Sequence, residues 1–188
     1  MKSGKLSTIA ALAIIAALML LPGGMFAAGS NSESPSAPGA EQLTVDWEAA
    51  RKHPQLEPSR LSEKQRQAAK NSAVPVLLPD RDTLLSSAMI TTGPNWCAAS
   101  MAEGRATITI SGNSRVIRVP GIPEPPALDD PNLKADAGEG RLEVNFKAFG
   151  IYYDISVECY DGAKDPRCAD DRFVMQLVNS LKLVLMDQ

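Results

Sequence analysis

Residues 141–159 read RLEVNFKAFGIYYDISVEC, and this stretch decides the fold. Leu142, Val144, Phe146 and Ala148 alternate with Arg141, Glu143, Asn145 and Lys147, the period-two pattern of a strand with one oily and one wet face. After Phe149-Gly150, the residues Ile151, Tyr153, Ile155, Val157 and Cys159 share one face of a second strand. A two-residue loop at 149–150 pairs Ala148 with Ile151, Phe146 with Tyr153 and Val144 with Ile155, and sets Arg141 opposite Glu158. A slip of one residue would turn all of these apolar side chains into water, so the register is strongly specified.

Upstream, short alternating runs from Asn95 onward are separated by turn residues, the pattern of an antiparallel meander. A loop at Glu103-Gly104 sets Met101, Ala99 and Cys97 opposite Ala106, Ile108 and Ile110. A second loop at Gly112-Asn113 adds a third strand, in which Ile117 and Val119 prolong the same apolar face. Downstream, Phe173, Val174, Leu177, Val178 and Leu181 recur at helical spacing behind the candidate caps Asp170 and Asp171, and 182–186 suits a short final strand. Ser62 and Gln65 have the form of a capping box, which predicts a helix over 60–72. The proline-bounded run Val74-Pro75-Val76-Leu77-Leu78-Pro79 suits an extended edge segment laid on the core. The expected fold class is α+β: an antiparallel meander sheet of about five strands with an N-terminal and a C-terminal helix packed on it, a single domain over 59–188.

The beginning of the chain differs in composition. Lys2 and Lys5 precede an uncharged apolar run over 6–21, Pro22 and two glycines break it, and small residues follow at Ala27, Ala28 and Gly29. This is the layout of a secretory signal over 1–29, cut after Gly29, with cleavage after Ala27 as the second choice. The alternative is an uncut inner-membrane anchor, since 6–28 approaches the roughly 20 residues that span a bilayer. Residues 30–40, SNSESPSAPGA, hold no large apolar side chain, so 30–58 reads as a disordered or partly helical linker. Within it a short helix over 41–53 would place Leu43 and Trp47 on one face before Pro54 and Pro58 end it.

Charge and cysteines narrow the function. Loss of 1–29 removes Lys2 and Lys5 from 19 basic side chains and none of the 22 acidic ones, leaving about −5. With a sequence pI near 5.2 and no basic run, nucleic acid is not an expected partner, and a membrane is one only if the N-terminal segment stays uncut. Export to an oxidising compartment makes a Cys159–Cys168 disulfide the expected bridge, a short loop contributing roughly 2 to 3 kcal/mol. Cys97 is left over, either as a small buried apolar residue or as a free thiol that reacts or bridges to another chain.

No constellation of catalytic type emerges. The single histidine, His53, lies in the proline-flanked linker, where no packed element holds it against a nucleophile. Zinc lacks ligands and no phosphate-binding glycine loop occurs, so no cofactor is expected. Asp129, Asp130, Asn132, Asp136 and Glu139 crowd the long loop 120–140 without the spacing of a calcium loop, and read as a solvated acidic segment. With prolines at 120, 123, 125, 126 and 131, that loop is too rigid for a strand interior and is either a binding element or disordered. Trp96, on the face opposite Cys97, is either an exposed aromatic platform or core beneath a helix. The candidate partner surface therefore comprises Trp96, Asp129, Asp130 and Asp136.

Gly93-Pro94-Asn95-Trp96, Ser111-Gly112-Asn113, Glu158-Cys159 and Asp165 to Cys168 together resemble exported proteins of Gram-negative bacteria that share these motifs over about the last 120 residues. The resemblance implies a fold and a compartment, and nothing catalytic. In order of elements the chain is also similar to Mog1/PsbP-like α+β domains. Two functions are carried forward: a non-enzymatic periplasmic or secreted binding or accessory domain that meets an envelope protein or small ligand, and a thiol-active or other small periplasmic enzyme using Cys97. The intact mass of the exported protein should correspond to a chain starting at Ser30 with one disulfide. A mass retaining residues 1–29 would establish the anchored form.

Overall fold

A computed structural model describes residues 39–138 and 140–184, so the expected signal, most of the spacer and Glu139 lie outside the described residues. In chain order the elements are strand β1 (Ala40–Gln42), helices α1 (Trp47–Lys52) and α2 (Glu63–Lys70), strand β2 (Val76–Pro79) and helix α3 (Asp82–Ser87). Strands β3 (Met89–Thr92), β4 (Trp96–Glu103), β5 (Ala106–Asn113), β6 (Arg115–Ile117), β7 (Asp136–Gly138), β8 (Arg141–Ala148) and β9 (Ile151–Cys159) follow. Helix α4 (Arg172–Asn179) and strand β10 (Leu181–Val184) close the series. The class is α+β, with a six-stranded antiparallel sheet in the order β3-β4-β5-β9-β8-β7 and two antiparallel ribbons, β1-β6 and β2-β10.

The β8–β9 hairpin has the register read from its pattern: Ala148 faces Ile151, Phe146 faces Tyr153, Val144 faces Ile155 and Arg141 faces Glu158. Both loop residues, Phe149 (φ 51°) and Gly150 (φ 79°), take the left-handed conformation that a type I′ turn requires. The upstream hairpin corrects the expected loop. It turns at Gly104-Arg105, so Met101 faces Ile108, Ala99 faces Ile110 and Cys97 faces Gly112. Gly104 (φ 62°) occupies the first loop position, where a type II′ turn demands glycine. Moving the loop by one residue slides each partner by two, which leaves the same side chains facing inward.

The third strand of the expected meander is also corrected. β5 runs on through Asn113, and its second neighbour is β9, which it meets from Ala106–Cys159 to Asn113–Tyr152. Gly112 is a strand residue here because the Tyr153 ring crosses it, and an added Cβ would stand 2.6 Å from a ring carbon. Residues 115–117 pair with β1 outside the main sheet, leaving Ile117 and Val119 exposed. Part of the long loop, Asp136–Gly138, forms the edge strand β7 beside β8.

The inner sheet face carries Cys97, Ala99, Met101, Ile108, Ile110, Val144, Phe146, Tyr153, Ile155 and Val157, all buried. Against it lie Val174, Leu177 and Val178 of α4, Leu84 and Leu85 of α3, and the fully buried β2 segment. The expected capping box is present at Ser62 and Gln65. Gln65 is itself buried, and its amide donates to the carbonyls of Leu85 (2.8 Å) and Ala88 (2.7 Å), tying α2 to the end of α3. Neither α3 nor β3 is announced by hydrophobic periodicity, each being too short to show one.

The segment read as linker is packed from residue 40 onward. Ala50 and Leu56 are buried, and the Leu56 amide donates to the Leu183 carbonyl at 2.8 Å. The expected helix over 41–53 starts only at Trp47, because Asp46 caps it, its carboxylate accepting from the Ala49 amide at 2.8 Å, while 40–42 pairs as a strand.

Cys159 and Cys168 are bridged, joining the end of β9 to the segment before α4. Within that segment the Asp165 carboxylate accepts from the Arg167 guanidinium (2.6 Å) and backbone amide (3.0 Å), contacts that hold it at about 2, below its usual value. Arg167 also donates to the Glu103 carbonyl, so the bridged loop grips the β4–β5 turn.

The β8–β9 turn is clasped in the same way. Asp46 donates its amide to Phe149 O at 2.8 Å, and a Cβ on Gly150 would stand 2.4 Å from the Thr44 carbonyl oxygen. Gly150→Ala therefore meets both a left-handed φ and a backbone clash, and should destabilise the protein by more than about 1 kcal/mol in denaturant unfolding.

Candidate functional site

Cross-strand register places Trp96, Asn113, Tyr152 and Lys147 in one row on the outer sheet face. The next row holds Ala98, Ser111, Asp154 and Asn145, and the one after it Ser100, Thr109, Ser156 and Glu143. Apart from buried Ser156, these side chains are exposed or half-buried. Small hydroxyl and amide groups line this face because its strand positions alternate with the core positions.

Trp96 is 40% exposed, so it is not core beneath a helix. Its indole lies on Gly93, where an added Cβ would stand 2.3 Å from Nε1. The Gly93 amide donates to the Trp96 carbonyl at 2.9 Å, closing the turn that sets the ring there. At the centre of the face, burial pushes the Asp154 carboxyl above its usual range, opposed by a hydrogen bond from Ser111.

Beside Tyr152 the chain leaves the sheet as a proline-rich rim. Ile117, Val119 and Ile122 are 63%, 52% and 68% exposed and border a groove of about 530 Å³ together with Pro120, Pro123 and Tyr152. The surrounding charges neutralise one another. Arg118 is held between Glu41 and Glu124, and Lys147 reaches Glu124 at 3.1 Å. The Arg118 guanidinium, aided by Lys147, holds the Glu124 carboxyl at about 2.

The acidic residues of the candidate surface are dispersed. Asp129 is exposed and borders a different cleft, beside His53. The Asp130 carboxylate accepts from the amide (2.8 Å) and side chain (3.1 Å) of Asn132 in a local turn, and Asp136 is exposed on β7 opposite Glu143. Among the described residues no three His, Cys, Asp or Glu side chains converge as a metal site would require.

Cys97 is buried beneath the sheet, its sulfur 3.7 Å from the Pro75 carbonyl oxygen, which also accepts from the Tyr153 hydroxyl at 2.8 Å. Burial pushes the thiol up to about 11, so it is protonated at neutral pH and lacks the thiolate that nucleophilic chemistry uses. His53 corrects the expectation that no packed element holds it. Its ring packs edge-on to Phe149 at 5.4 Å, and Nε2 donates to the Leu181 carbonyl at 3.1 Å.

The sequence does not announce the rim, because Ile117 and Val119 alternate like core residues. The prolines from 120 onward were the available signal, since a segment bordered so closely by proline rarely completes a central strand. Comparison with protein-family models, curated proteins and solved structures finds no match to the chain. Treated with iodoacetamide at neutral pH, the native protein should take up no label. Unfolded in guanidinium without reductant, it should take up one alkyl group, on Cys97.

Proposed function

We propose that this chain is a non-enzymatic binding or accessory domain of the bacterial cell envelope, exported by its N-terminal signal, which docks a partner protein on the rim of its outer sheet face. The observation that carries this reading is the exposed apolar set Ile117, Val119 and Ile122 beside Tyr152, on a domain whose other large aliphatic side chains are mostly buried. Clustered exposed aliphatics of this kind mark interaction surfaces more often than they decorate a free monomer. Trp96 and Tyr152 flank Asn113 in one row, so the surface continues from the rim onto the sheet, with two aromatic anchors suited to a protein partner. Because Arg118, Glu41, Glu124 and Lys147 satisfy each other, the partner is selected by apolar fit, with little charge steering. The apolar run 6–21 behind Lys2 and Lys5, and the Cys159–Cys168 bridge, support an oxidising extracytoplasmic compartment.

A photo-crosslinking residue placed at Ile122 in producing cells should yield one discrete protein adduct, whereas the same probe at Glu48 on α1 should yield none. The adduct should form equally in low and high salt and disappear in a Val119→Asp variant whose melting temperature is unchanged. No adduct from Ile122, or equal adducts from both sites, would remove the basis of this reading.

A further inference from the structure

A second concave site lies apart from the apolar rim. A cleft of about 480 Å³ opens between the β8–β9 turn, the end of α4, the start of β10 and residues 128–129. That volume falls within the roughly 300 to 1,000 Å³ of small-molecule sites. Its apolar lining includes Leu128, Phe149 and Val178, and its polar lining includes His53, Asp129 and Lys182.

Three features make this more than a surface dent. First, Phe149 (φ 51°) is the one non-glycine residue with positive φ among those described. Bulky side chains rarely adopt such a backbone conformation. Its ring is held there edge-on between His53 and Tyr153, at 5.4 and 6.2 Å. Second, the chain's only histidine has a set tautomer. The Leu181 carbonyl oxygen only accepts, so Nε2 carries the proton and Nδ1 is left as an acceptor. Burial also lowers the ring's affinity for a second proton. Third, Asp129 and Lys182 line the same cleft from different elements, yet neither forms an ion pair with the other or with any described residue. The remaining lysine on the wall, Lys147, is committed to Glu124.

An anion and a cation that are unpaired among the described residues, a hydrogen-bonding imidazole and an apolar lining suit a ligand with the complementary set. We propose that the cleft binds a small zwitterion with an apolar body, the chemistry shared by a free aliphatic amino acid and a two-residue peptide. Asp129 receives the ammonium, Lys182 the carboxylate, and the aliphatic body lies against Leu128, Phe149 and Val178. A polyanion such as a phosphate ester is poorly matched, because a single uncommitted lysine faces it and Asp129 opposes it.

The test is calorimetric titration of the exported protein with L-leucine and L-leucyl-L-leucine, with octanoate and octylamine as singly charged comparators. At least one zwitterion should bind, at least tenfold more tightly than either comparator, and the tighter of the two identifies the source. Asp129→Asn and Lys182→Met should each weaken it at least tenfold, with unliganded melting temperatures unchanged. A Val119→Asp protein should bind it normally, which separates this site from the rim. Absence of binding by both zwitterions, comparators that bind as tightly, or variants that bind as the parent does would each overturn the proposal.

Discussion

The pairing of β9 with β5 along their full length is the constraint on which the rest of the structure depends. It fuses two locally formed hairpins, β4–β5 and β8–β9, into one sheet and makes their apolar faces continuous from Met101 to Phe146. Residue 112 is the tight point of that seam, since the Tyr153 ring fills the space where a side chain would project. Tyr153 is thereby set to donate its hydroxyl to the Pro75 carbonyl oxygen, beside the Cys97 sulfur. One close approach thus joins the seam, the β2 segment and the buried thiol.

Around the sheet, segments with little structure of their own are held by backbone bonds and caps. β10 pairs with β2 and also receives the amide of Leu56, so the end of the described chain is closed over by its beginning. The bridge between Cys159 and Cys168 restrains the strand-free segment between β9 and α4, and Arg167 anchors that segment to the β4–β5 turn. The proline-rich rim has no such closure. Its prolines lack the amide donors that would let it join a neighbouring strand, so its aliphatic side chains stay on the surface.

The two concave features differ in chemistry because different elements build them. The rim is aliphatic with its charges mutually satisfied, whereas the cleft beside His53 keeps opposite charges apart over an apolar lining. Lys147 links them, bordering the cleft while reaching Glu124 at the rim. Its alkyl stem therefore serves both surfaces, while its charge serves the rim.

Local pattern by itself determined the β8–β9 hairpin to the residue, the α2 capping box, the apolar α4 and the Cys159–Cys168 pair. In each of these the deciding contacts lie close in sequence or the alternation is long enough to allow one register. It left Trp96 with two readings, misplaced 115–119 as a core strand and took 40–58 for a linker. Only tertiary structure decided those, because alternation specifies which side chains share a face but not which strand lies alongside. β9 outcompetes 115–119 as the neighbour of β5 by offering a full-length ladder with Ile155 and Val157 on the buried side. His53, Asp129 and Lys182, distant in sequence, meet at one cleft only once β10 lies beside residues 54–56, so no spacing rule could have grouped them.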